Sequence, residues 1–176
     1  LSLAVKGDTV YLGGLFSTVN AAVRSNLAAV RLSTGANVAW AAATANGIVR
    51  CMSLSTGRLY VGGDFTTVNG SPRPRGASFT VSNHALTNWT PGANGTVHSI
   101  VAAPTVVYVG GAFTLVNALT VRNRLAAFPP TSNTPTTWNP NANGTVRTIV
   151  LSGTDVFFGG DFTQVSLTAR NHSVLV

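Results

Sequence analysis

The chain has no glutamate, and lysine, cysteine and methionine occur once each, as Lys6, Cys51 and Met52. Each shortage excludes something. Without glutamate, and with a single lysine, the charged helix formers are missing apart from arginine. The four carboxylates are all aspartates, too few to favour the paired acids of general acid–base catalysis. One cysteine excludes an internal disulfide and leaves the redox compartment open. Cys51 falls in an apolar strand, where a free thiol behaves as a small buried hydrophobe. No apolar run approaches the ~18–20 residues that a bilayer-crossing helix needs. No signal-peptide pattern is present. The repeat opens in mid-pattern at Leu1, so a leader or preceding domains are expected outside this sequence.

Hydrophobic residues make up 45% of the 176 residues and charged residues only 9%. That is ample for a packed core and excludes a disordered chain. The polar content is Thr, Asn and Ser, with 18 Gly and 8 Pro, a mixture suited to strands and tight turns. An all-β fold is expected. The formal charge of +7 comes from eleven cations spread along the chain. Nucleic-acid binding proteins cluster their basic residues, so no nucleic-acid partner is expected here. The arginines recur once per repeat, which suits the satisfaction of loop carbonyls.

The repeat is plain. VYLGGLFSTVN at 10–20 returns as LYVGGDFTTVN at 59–69, VYVGGAFTLVN at 107–117 and VFFGGDFTQVS at 156–166. Gly13, Gly62, Gly110 and Gly159 head the Gly-Gly pairs, at spacings of 49, 48 and 49. Trp40, Trp89 and Trp138 recur every 49 residues. Asn46-Gly47, Asn94-Gly95 and Asn143-Gly144 recur too, as do Arg24, Arg73, Arg122 and Arg170. A fixed period of this length marks a solenoid or propeller.

Each unit reads as four short strands. Strand A covers 1–5, 51–54, 99–102 and 148–151, and strand B is the opening motif, as at 105–111. Strand C covers 26–32, 76–80, 124–128 and 173–176, and strand D leads to the tryptophan at 37–40, 86–89 and 136–138. Four strands per unit is the arithmetic of a β-propeller blade. The predicted blades are 1–49, 50–97 and 98–146, with a partial fourth at 147–176 that lacks strand D. The Gly-Gly pair should let a neighbouring backbone or ring come close. Phe16, Phe65, Phe113 and Phe162 should pack between blades, as should the three tryptophans. About three and three-quarter blades leave open edges, which propellers close. The chain is therefore expected to belong to a propeller of six to eight blades, completed by further blades of the same chain or by a second copy.

The wording VGGDFTTVNG…R…LAA…TG…W.PNANGTV resembles the β-propeller repeats of secreted bacterial proteins, close to the group called delta-sixty repeats. The resemblance spans all four units. Ala29–Trp40 (AVRLSTGANVAW) is also similar to the tryptophan-docking motif of quinoprotein-type propellers, with Leu32 where that motif has Asp and Trp40 one residue late. The first resemblance implies an extracellular or cell-surface setting beside adhesion-type modules, and no enzyme.

Each possible site also has a structural reading. Asp64 and Asp161 follow Gly-Gly in two units, but Leu15 and Ala112 stand there in the others, so a ring of metal ligands is not expected. An aspartate in that place should accept loop N–H groups or pair with a local arginine. His84, His98 and His172 occupy unlike places in their repeats. The Asn-X-Ser/Thr matches are compositional accident in a chain rich in Asn and Thr. One constellation stands out. The B–C and D–A loops share a face, on which Arg24, Arg73, Arg122 and Arg170 join Asn46, Asn94 and Asn143. Such donors suit a carboxylate, a sulfate or an acidic glycan, or else serve the repeat itself.

These readings lead to a non-catalytic structural or protein-interaction module, without cofactor or metal, in an extracellular, cell-surface or periplasmic assembly. A carbohydrate- or polyanion-binding module is the alternative. An enzyme whose site lies in missing blades is a third reading.

Overall fold

The structure, a computed structural model, describes residues 1–176 apart from 41–43, 167, 170–172 and 176, and only the backbone of 169 and 173–175. The first unit holds β1 (Ser2–Lys6), β2 (Thr9–Gly13), β3 (Thr18–Val19), β4 (Ala22–Val23) and β5 (Leu27–Arg31). The second holds β6 (Val49–Ser55), β7 (Arg58–Gly63), β8 (Thr67–Val68), β9 (Ser71–Pro72) and β10 (Gly76–Thr80). The third holds β11 (Val97–Ala102), β12 (Val107–Gly111), β13 (Leu115–Val116), β14 (Thr120–Val121) and β15 (Leu125–Phe128). The fourth holds β16 (Val146–Ser152), β17 (Asp155–Gly160), β18 (Gln164–Val165), β19 (Thr168–Ala169) and β20 (Ser173–Leu175). Among the described residues there is no helix, in keeping with the lack of Glu and the single Lys.

Each unit is a three-stranded antiparallel sheet, ordered β1-β2-β5, β6-β7-β10, β11-β12-β15 and β16-β17-β20. The first strand of each unit packs on the first and second strands of the unit before: β6 on β1 and β2, β11 on β6 and β7, β16 on β11 and β12. The first strands therefore follow one another along one side of the array, with the third strands away from it. The result is a propeller-like series of small sheets.

The fourth strand expected in each of the first three units does not form a ladder. Asn37 and Leu86 make single bridges to Val30 and Phe79, and Thr136 donates one N–H to the Ala127 carbonyl. The chain then turns. The Trp40 N–H bonds the Val38 carbonyl two residues back, and the Trp89 and Trp138 N–H groups bond Thr87 Oγ1 and Thr136 Oγ1. The N–H that would extend the ladder is used locally, and the indole swings onto the sheet. A ladder rung is exchanged for burial of a large apolar ring.

The B–C connection, expected as a loop, is a miniature hairpin. Val68 pairs with Ser71 across Asn69-Gly70, both at positive φ (50° and 73°), the signature of a type I′ turn. Val19 and Ala22 do the same across Asn20 and Ala21.

Both glycines of the repeated pair have a steric reason. A Cβ on Gly62 would meet Val97, Cys51 and Ile100, and one on Gly110 would meet Val146 and Ile149 of the following unit. A Cβ on Gly63, Gly111 or Gly160 would strike the carbonyl oxygen of Ile48, Thr96 or Thr145. Those oxygens lie where β6, β11 and β16 slip register, between Val49 and Cys51, Val97 and Ser99, and Val146 and Thr148. A bulge re-aims the backbone, and the second glycine makes room for it.

The core runs through the junctions. Tyr11 and Trp40 are buried with Phe79 of the next unit, the Trp40 ring 5.6 Å from Tyr11 and 4.8 Å from Phe79, both edge-on. Trp89 lies 5.0 Å from Tyr60 and 6.0 Å from Phe128. Phe65, Phe113 and Phe162 are fully buried, while Phe16 and Trp138 are half-buried. Trp138 retains its own unit's tyrosine, Tyr108, at 5.1 Å.

Candidate functional site: the loop face

The D–A loop leading into each unit meets that unit's B–C hairpin. Asn46 makes the join: its Oδ1 accepts the Thr66 and Thr67 N–H groups at 2.8 and 2.9 Å, and its Nδ2 donates to Thr66 Oγ1 at 2.8 Å. Asn94 treats Thr114 and Leu115 in the same way, and Asn143 treats Thr163 and Gln164. The three amides thus satisfy backbone groups that no ladder reaches.

The arginines behave alike. Arg73 donates through Nε and Nη2 to the Thr87 carbonyl at 3.2 and 2.7 Å, and through Nη1 to the Pro72 carbonyl at 2.8 Å. Arg122 reaches the Thr136 and Val121 carbonyls at 2.7 and 2.9 Å. These bonds anchor the segment that carries each tryptophan to the hairpin. Among the described residues Arg24 reaches the Val23 carbonyl, at 2.9 Å. Arg170 lies outside the described residues.

A second set of charges lies at the start of the first strands. Arg50 grips Asp64 with Nε and Nη2 at 2.6–3.0 Å, and Arg147 grips Asp161 with both contacts at 2.7 Å. Thr96 Oγ1 of the next unit also donates to Asp64, at 2.8 Å. The Arg50 bond, aided by Thr96, holds the Asp64 carboxyl below its usual range against partial burial. His98 occupies the place of Arg50 and Arg147. Burial pushes its imidazole pKa down, and the nearby Arg50 and Arg147 add to the effect. The pairing was readable in the repeats: aspartate follows Gly-Gly only where arginine opens the first strand. The units opening with Leu1 and His98 have Leu15 and Ala112.

Asn123, Arg124, Asn141, Ala142, Asn143 and Gln164 line an open cleft of about 270 Å³ between the third and fourth units. The Asn123 amide donates to Asn141 Oδ1 at 2.7 Å, and Arg124 is held by the Ala112 carbonyl. Asn123, Asn141 and Gln164 have no counterpart pattern at the other junctions, so the repeat did not point to them. Among the described residues no three His, Cys, Asp or Glu side chains converge as metal ligands would. Desolvation pushes the pKa of the partly buried Cys51 thiol up to about 12.

No family model matches the chain, and no curated protein matches it. Solved structures do. The computationally designed Ika8 protein aligns at a TM-score of 0.64 and 11% identity over 96% of this chain. The computationally designed Ika4 protein aligns at 0.64 and 13% identity over 93% of it. The chain spans 46% of Ika8 and 88% of Ika4. BamB from Moraxella catarrhalis aligns at a TM-score of 0.43 and 12% identity, over 91% of this chain and 54% of that one. At such identities the likeness to the designed proteins is one of fold alone.

Proposed function

We propose that the chain is a non-catalytic β-propeller segment of the delta-sixty-like, secreted kind, acting as a structural and protein-interaction module at an extracellular or cell-surface site. In this reading it supplies about three and three-quarter blades of a propeller of six to eight. One observation carries the reading. The loop face spends its repeated Asn and Arg donors on its own backbone, yet leaves Leu15, Val23, Leu119 and Val121 exposed on or beside its hairpins. A rigid face with protruding apolar tips and few free charges suits protein contact. The repeat wording supports the extracellular setting.

The amide-lined cleft favours a second reading, in which the same face binds an acidic glycan through Arg124, Asn123 and Gln164. Two assays separate them. For the first, Leu119→Ser with Val121→Ser abolishes capture of protein partners from surface extracts of the source cells, while Arg73→Ala and Arg122→Ala leave a glycan array blank. Array binding that Asn123→Ala and Gln164→Ala remove establishes the second and refutes the first.

A further inference from the structure

The strands β6, β11 and β16 lie side by side, and each slips register around one residue: Arg50, His98 and Arg147. A bulge re-aims its side chain, and His98 lies within electrostatic reach of both arginines. On either side of His98 the bulge residue is paired with an aspartate 14 positions further on, Arg50 with Asp64 and Arg147 with Asp161. The residue 14 positions after His98 is Ala112.

The backbone holds Ala112 as it holds the two aspartates. The Asp64, Ala112 and Asp161 N–H groups donate to the Ile48, Thr96 and Thr145 carbonyls at 2.9, 2.8 and 2.7 Å. Arg75 and Arg124, just before the third strands, donate through Nη1 to the Asp64 and Ala112 carbonyls. The second unit shows what a carboxylate meets in this place. Asp64 takes Nε and Nη2 of the bulge arginine and, at 2.8 Å, the Thr96 hydroxyl of the next unit. In the third unit the corresponding donors are the His98 ring and the Thr145 hydroxyl, both on residues partly open to solvent. The Arg124 guanidinium is fixed against the Ala112 backbone beside them. A methyl group at Ala112 offers these donors no acceptor and leaves room for one.

We propose that the third unit binds the carboxylate of an Asp or Glu side chain from a partner protein, between His98, Thr145 and Arg124, where its neighbours use their own Asp64 and Asp161. The neighbours name the occupant, since both fill this place with an aspartate side chain. The inference rests on the reading of the loop face as a protein-contact surface and adds the chemistry of one contact. His98 faces Arg50 and Asp64 on one side and Arg147 and Asp161 on the other. Each of those pairs is neutral, so protonation of the ring adds the positive charge that a carboxylate pairs with. Burial and the two arginines keep the ring neutral near pH 7, and an entering carboxylate favours the imidazolium. Binding therefore takes up a proton and strengthens as pH falls.

The test is a magnetic-resonance titration of the isotope-labelled chain with millimolar N-acetyl-aspartate amide, followed at the His98 ring and the Thr145 amide. A saturable shift is expected at pH 5, with affinity at least about tenfold weaker at pH 7.5. N-acetyl-asparagine amide, which has no carboxylate, leaves both signals in place. Ala112→Asp supplies the carboxylate from within: it raises the His98 pKa and abolishes probe binding, with an unchanged β circular dichroism spectrum. His98→Arg, the residue type of the neighbouring units, keeps the Thr145 shift and removes its pH dependence. A chain whose signals do not respond overturns the proposal. So does probe binding that survives Ala112→Asp, and so does glucuronate binding more tightly than the aspartate probe, which marks a site for sugar acids. An unresponsive site with capture of protein partners intact sinks this inference alone; failed capture with a bound probe sinks the protein-contact reading instead.

Discussion

At the residue scale the repeat is explained by what stands next to each position. Gly63 illustrates it: beside the bulge at the start of β6 the Ile48 carbonyl oxygen stands where a Cβ would be. Backbone cannot yield as a flexible side chain can. Gly63→Ala is expected to lower the unfolding free energy by about 2–3 kcal/mol, measured by chemical denaturation; a loss under about half a kcal/mol would refute the steric role. Ala21 is the opposite case. It holds φ +61° in the first hairpin, where the second has Gly70. An L-residue with a Cβ is penalised there, so Ala21→Gly should raise stability by about 0.5–1 kcal/mol. The same change at Ala118, which shares φ +61°, should act in the same direction. Both hairpins were expected only as loops, although Asn69-Gly70 in the second is the dipeptide a type I′ turn favours. The Arg50–Asp64 and Arg147–Asp161 pairs were legible, since the two residue types come and go together among the units. Both pairs are partly open to solvent, and such pairs contribute little to stability.

At the scale of the element, the tryptophan segment shows where strand arithmetic stops. Counting apolar runs gives four strands per unit. It does not reveal that Trp40, Trp89 and Trp138 turn their N–H groups onto residues two positions back. The indole then bridges two units instead of extending one. Trp40 donates Nε1–H to the His84 carbonyl of the next unit at 3.1 Å. At the second junction Tyr60 O–H takes the corresponding role, bonding the Pro130 carbonyl at 3.2 Å. Trp89 is held by packing between Tyr60 and Phe128. Trp89→Ala should cost about 3–5 kcal/mol and lower Tm by on the order of 10 °C. Trp138→Ala should cost clearly less, because that ring is half-buried. Equal losses in a calorimetric scan would show that the rings do not act through junction burial.

At the scale of the whole molecule, two histidines set a pH dependence. Burial pushes the His84 pKa down, where the ring meets Tyr11 O–H at 3.3 Å and lies 5.5 Å from Trp40. His98 is pushed down by burial and by Arg50 and Arg147, with Asp64 and Asp161 opposing. Each imidazole is a weaker base folded than unfolded, so between the two pKa values the unfolded chain binds more protons. Stability is then intact above the unfolded value of about 6.5 and falls as pH drops below it. Tm should be lower at pH 5 than at pH 7.5, and His84→Asn with His98→Asn should flatten that difference. The aspartates do not confuse the window: Asp8 and Asp64 are shifted below 3.8 and stay charged throughout it. A pH-independent Tm in the unmutated chain would contradict the burial of both rings.

By itself the sequence determined the repeat, its period of 48–49 residues, the all-β class and the positions that only glycine can fill. Those are properties of local pattern, and a pattern stated four times averages out the ambiguity of any one copy. Only the tertiary structure decided how the loop-face donors are used. Whether Arg73 or Asn94 points at a carbonyl or at solvent depends on chain about 14–21 residues away, brought close by sheet packing. It also decided which apolar residues remain open. Ile149 is covered because Gly110 of the third unit lies against it, whereas Val23 and Leu119 stand open on their hairpins.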